Sequence, residues 1–149
     1  MISDANATGS ATATIHGATP RMLRAARALA EAIFSTEAGP PPPERLDWLV
    51  RELDDFLARV GSRTRLVLWL SVFAVSWLAP LLSFRLLPLR ALPLPKRIDA
   101  LERLERSHAA MALLATKAIL SILYYEHPDA AREVGFDGAC LKAGKEETA

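Results

Sequence analysis

The run from Leu66 to Phe84, LVLWLSVFAVSWLAPLLSF, passes nineteen residues without a charge, and it limits what this chain can become more than any other segment. A helix of that length is just enough to cross the hydrocarbon core of a bilayer, and Trp69 and Trp77 could serve as interfacial anchors. Arginines flank both ends, Arg63 and Arg65 before and Arg85 and Arg90 after, so the charges signal no orientation. Pro80 interrupts the run, and inside a helix a proline removes one hydrogen bond and kinks the axis. A helix buried in a larger assembly has the same composition. Two readings therefore stand: a helix covered by protein, or a small membrane protein anchored by the single apolar helix 66–84.

The rest of the chain bounds the context. With 149 residues, 51% of them apolar, it can build one domain with a real core. A formal net charge of +1 gives no field that would draw nucleic acid. The single cysteine, Cys140, excludes an internal disulfide and a multi-cysteine metal site. Residues 1–18 are small and polar, with neither a basic nor an apolar signal region, and read as a disordered tail, as do residues 144–149. The helical domain is expected over 19–143. Lacking a signal peptide and a twin-arginine motif, the chain is expected in the cytoplasm, where peripheral contact with a membrane is compatible with its apolar run.

Helix periodicity runs through the domain. Thr19 and Pro20 make a good opening, a hydroxyl cap followed by a proline whose missing donor costs nothing in the first turn. Leu23, Ala26, Ala30 and Ile33 then form one stripe to about Ser35, widened by Leu29 and Phe34. Gly39 and Pro40 to Pro43 predict a stiff, extended spacer. A second helix, Glu44 to Val60, places Leu46, Leu49, Val50, Leu53, Phe56, Leu57 and Val60 inward, with Asp54, Asp55 and Arg59 on a solvated face and Asp55 and Arg59 spaced as an ion pair. After the leucine- and proline-rich connector Leu86 to Lys96, one long helix is expected from Arg97 to Tyr125. Its inner stripe is Ile98, Leu101, Leu104, His108, Met111 and Ala115, and Glu102 and Arg106 are spaced as an ion pair on its outer side. Lys117 is the lone charge from Ala109 to Tyr125, so that half is expected to be enclosed on nearly all sides. The fold class is all-α: an irregular bundle of about four to five helices joined by proline-rich connectors.

The end of the chain is the most distinctive part. A nearly uncharged helix finishes at Tyr124 and Tyr125, breaks at His127 and Pro128, restarts, and stops at Gly135-Phe136-Asp137-Gly138. Pro128 suits the first turn of the short helix and Gly135 the left-handed position after it, with Phe136 folding back as an apolar plug. Four features in order resemble a known family: RALAEAIF at Arg27 to Phe34, an apolar middle, the charged repeat at Arg97 to Ser107, and KAILSILYYEHP followed by VGFDG. The family is the small third subunit of gluconate 2-dehydrogenase and its relatives, and the similarity spans about Met22 to Leu141. Similar domains stand at the N-terminus of long-chain alcohol oxidases of the glucose–methanol–choline flavoprotein superfamily.

The resemblance implies a non-catalytic accessory subunit that binds a larger flavoprotein oxidoreductase, with FAD in that partner and no cofactor here. Secreted relatives carry a twin-arginine signal; its absence here favours an internal complex or a partner with its own signal. The residues agree with an absent dinucleotide site, because the seven glycines are scattered and no GxGxxG occurs. His16, His108 and His127 show no helical zinc spacing, and Cys140 reads as an inert thiol. Trp69, Phe73, Trp77, Tyr124, Tyr125 and Phe136 are the candidates for the partner interface. For the two tyrosines, core rings closing a helix are the alternative. Thr19, Pro20, Pro128, Gly135 and Gly138 are expected to be structural.

Overall fold

The computed structural model describes residues 17–84 and 86–136. They form α1 (Pro20–Ile33), α2 (Pro43–Arg59), α3 (Ser62–Leu82), a 3-10 turn at Leu89–Ala91, α4 (Leu94–Glu105), α5 (Ala110–Tyr125) and α6 (Pro128–Glu133). The all-α class is as expected, with six helices among the described residues because the last long segment is broken in two. Gly138, Asp137, Cys140 and His16 lie outside the described residues.

Thr19 caps α1 from an extended backbone, its hydroxyl accepting from the Met22 N–H at 3.3 Å, and Pro20 opens the first turn. Ala26, Leu29 and Ala30 are fully buried as expected, but Met22 completes the inner face while Leu23 and Ile33 are only half-buried. Thr36 and Gly39 exchange two backbone hydrogen bonds of 3.0 Å, and the prolines then lead the chain into α2, which begins at Pro43. Along α2 the leucines Leu46, Leu49, Leu53 and Leu57 are all buried, as their three- and four-residue spacing requires.

Two expectations for the polar face of α2 change. Arg59 Nε donates to the Asp55 backbone oxygen at 3.1 Å rather than to its carboxylate. Asp54 is half-buried and accepts from the Ala18 N–H at 2.8 Å, so it holds the entering chain instead of facing solvent. Gly17 is packed there so closely that a Cβ would stand 2.1 Å from the Ala58 nitrogen. Contact with the core thus begins two residues before the expected domain boundary.

The expected helix from Arg97 to Tyr125 breaks at Ser107. Its hydroxyl donates to the Leu104 oxygen at 2.7 Å and accepts from the Ala109 N–H at 3.1 Å. A serine that satisfies local backbone groups in this way competes with the helical ladder. The break resets the phase. Leu101 and Leu104 stay inside, whereas His108, Met111 and Ala115 turn outward and α5 buries Leu113, Thr116, Leu120, Leu123 and Tyr124. The Glu102–Arg106 pair forms at 3.4 Å, in the open.

At the far end, His127 caps α6 through Nδ1, accepting from the Asp129 N–H at 3.3 Å, and Pro128 opens it. Gly135 adopts φ +80°, with its N–H on the Arg132 oxygen and the Phe136 N–H on the Ala131 oxygen, both at 3.0 Å. That pair of bonds is a Schellman C-cap. Phe136 remains half-exposed, so it is not the plug the sequence suggested. Nothing lies within 4 Å of a Cβ built at Gly135. Gly135→Val is therefore expected to cost about 1 to 2 kcal/mol through conformation alone; a denaturation midpoint equal to the parent's would refute the cap's contribution.

In the assembled bundle α3 lies against α1, α4 and α5, while α2 rests on α1 and α5 and α6 on α5. Leu68, Val72, Val75, Ala79 and Pro80 of α3 point into the core. The interior proline is accommodated in the last turn, and the helix closes two residues later with the Ser83 N–H on the Pro80 oxygen at 2.9 Å.

Candidate interaction surface

The outward arc of α3 is left exposed among the described residues. Trp69, Phe73 and Trp77 recur every four residues and so stand in one row. The Trp69 and Phe73 rings lie 5.3 Å apart and nearly parallel, and Phe73 and Trp77 lie 6.2 Å apart. Next to this row come Leu66, Leu70 and Leu81, each about half-exposed. Beyond the helix, Phe84 is 95% exposed and holds φ +55°, a left-handed conformation that costs a side-chain-bearing residue about 1 kcal/mol. Leu86 and Leu87 follow it into the open. On α5, Met111, Leu114, Ile122 and Tyr125 are exposed as well, so among the described residues the bundle does not enclose this helix on nearly all sides. Lys117 reaches back to Glu105 at 2.8 Å. Among the described residues α3 is the helix long and apolar enough to cross a membrane, and a third of its most apolar stretch (33%) is buried in the bundle.

The six proposed interface residues separate. Trp69, Phe73 and Trp77 share one surface and line a cleft of about 500 Å³ between α3, the start of α1 and the turn after Pro88. Tyr124 is 5% exposed and its ring stacks on Phe34 at 4.0 Å, which makes it a core residue. Tyr125, 41% exposed, meets the same phenylalanine edge-on at 6.1 Å, and Phe136 belongs to the α6 end. Leu66, Leu70, Leu81, Arg21 and Arg90 join the surface without having been singled out from the sequence. A helical wheel of α3 would have found the leucines, but the arginines come from distant segments and only the fold brings them to the cleft.

The α6 end is held by charge. Arg45 of α2 forms a two-pronged pair with Glu133, at 2.6 and 2.5 Å. That hydrogen bond holds the Glu133 carboxyl below its ordinary range, and the same bond, with the Tyr124 hydroxyl in second place, keeps Arg45 more firmly protonated. Arg132, paired with Asp129, likewise lowers the Asp129 carboxyl. A carboxyl whose folded pKa is depressed stabilises the fold above its unfolded pKa, and the contribution is lost as pH falls through the folded value. Acidification below the ordinary carboxylate range is therefore expected to free α6 before the core opens. Amide exchange at Ala131 and Phe136, whose N–H groups bond to the His127 and Ala131 oxygens, should accelerate more than at Leu53 as pH falls, after correction for intrinsic rates; a parallel change at all three would count against it.

His127 rests edge-on against Trp48 at 5.2 Å, and His108 is exposed. Among the described residues no three His, Cys, Asp or Glu side chains gather where they would hold a metal ion. What the surface offers chemically is apolar contact bordered by arginine. Comparison with protein-family models, with curated proteins and with solved structures finds no match.

Proposed function

We propose that this chain is an accessory subunit that seats the outward face of α3 on a larger flavin-dependent dehydrogenase or oxidase of the glucose–methanol–choline type, acting on an alcohol, sugar or sterol. The observation that carries the reading is the long exposed apolar arc on α3, with a smaller set of exposed apolar side chains on α5, in an otherwise packed bundle. Surfaces of this extent and composition mark interaction sites. The kind of partner comes from the resemblance of the sequence of the ending, Lys117 to Pro128 and Val134 to Gly138, to the small third subunit of gluconate 2-dehydrogenase. In this reading FAD and the catalytic groups belong to the partner. The small subunit stabilises it and borders the entrance for an apolar substrate, in the cytoplasm or against a membrane surface.

A second reading, a membrane protein anchored by helix 66–84, draws on the length of α3. The packing of α3 on α4 weighs against a span, because Asp99, Glu102, Arg103 and Arg106 on the exposed side of α4 would be carried toward hydrocarbon. Purification of the tagged chain under mild conditions tests the proposal. A larger protein with flavin absorbance, present in fixed ratio, is the expected result. Recovery of the chain alone, from membranes that retain it after alkaline carbonate extraction, would replace the proposal with the span.

A further inference from the structure

The cleft beside the aromatic row has chemistry of its own. Its volume, about 500 Å³, is that of small-molecule sites. Met22, Trp69, Val72, Phe73 and Trp77 supply apolar walls, and the charged groups that line it are Arg21 and Arg90, with no carboxylate among the lining residues. Neither arginine has an ion-pair partner among the described residues, whereas Arg27 is paired with Asp47, Arg45 with Glu133 and Arg97 with Glu31. Arg90 also borders the neighbouring groove, whose other charged groups are Arg24, Arg27 and the Arg97–Glu31 pair. The turn that carries Arg90 is fixed: Arg97 Nε donates to the Leu92 oxygen at 2.7 Å, and its NH2 reaches the Arg90 oxygen at 3.4 Å.

We infer that this cleft binds a long-chain carboxylate, its alkyl chain against Trp69, Phe73 and Trp77 and its head between Arg21 and Arg90. Charge complementarity selects the occupant. Two forked cations without counter-ions at the edge of an apolar cleft favour an anionic amphiphile over a neutral one, since guanidinium groups match a carboxylate in pairs. The inference concerns the chain by itself and does not depend on a flavoprotein partner.

Decanoate and decanol, below any micelle formation, are the probes, titrated against the full-length chain carrying Trp48→Phe. That substitution removes the one tryptophan away from the cleft, leaving Trp69 and Trp77 to report. Decanoate is expected to shift their emission saturably, and decanol to bind about tenfold more weakly, the loss of a charge-assisted contact. Arg21→Ala with Arg90→Ala, both at exposed positions, should bring decanoate down to the affinity of decanol while circular dichroism stays unchanged. An unsaturable response, equal affinity for acid and alcohol, or undiminished decanoate binding by the double variant would each overturn the site.

Discussion

A chain carrying Leu70→Glu and Leu81→Glu is expected to fold like its parent and to lose the flavoprotein partner proposed for it. Both leucines are about half-exposed on α3 and neither lines the cleft, so the bundle can accept the charges and the carboxylate site is left alone. In a protein interface the same two carboxylates would be stripped of water without a cation in compensation, at several kcal/mol for each ion. Affinity should fall by about a hundredfold or more, since each 1.4 kcal/mol is a factor of ten. Size-exclusion chromatography of the co-expressed pair, followed by flavin absorbance, gives the answer. Co-elution of the double variant in the parental ratio would mean that the partner sits on another face. A variant that elutes alone with parental circular dichroism would support docking through α3.

Leu53→Ala acts on the opposite side of the molecule. Leu53 is 0% exposed in the middle of α2, which lies against α1 and α5. Removing three carbons there leaves a void that flanking helices can only partly close, so the unfolding free energy should fall by about 3 kcal/mol. For a domain of this size that lowers Tm by roughly 10 to 15 °C. Leu53→Met, which keeps the volume, should cost less than about 1.5 kcal/mol. Equal losses from alanine and methionine would place the cost in helix geometry rather than in the cavity, and a small loss from alanine would show that α1 and α5 close over the gap.

Much of this architecture is legible in the chain because helix rules are local. Thr19-Pro20 begins α1, the leucines of α2 recur at helical spacing and face inward, and Pro128 and Gly135 bracket α6 as their backbone preferences demand. Each outcome depends on atoms only a few residues apart. The errors lie where two local rules compete or where distant segments meet. Ser107 sits in a segment whose apolar repeat continues past it, and the repeat alone gives no sign that the serine hydroxyl takes over two backbone groups. Asp54 looks solvated until Ala18, thirty-six residues earlier in the chain, brings it a backbone N–H. Tyr124 and Tyr125 are identical in type and adjacent, yet one stacks on Phe34 in the core and the other stays at the surface.

The candidate surface divides in the same way. From the sequence came the presence of an uncharged aromatic helix, because nineteen residues without a charge can only be covered, whether by protein or by lipid. Which side of that helix is covered by the chain itself, and which is left bare, depends on α1, α4 and α5 closing against Leu68, Val72, Val75 and Ala79. The cleft with its two arginines, which find no ion-pair partner among the described residues, is likewise a tertiary product: Arg21 belongs to the first turn of α1 and Arg90 to a turn far along the chain. Hydrophobic spacing fixes the helices one at a time, since it is written into consecutive residues. Charges become a site only when packing decides which of them find partners and which do not.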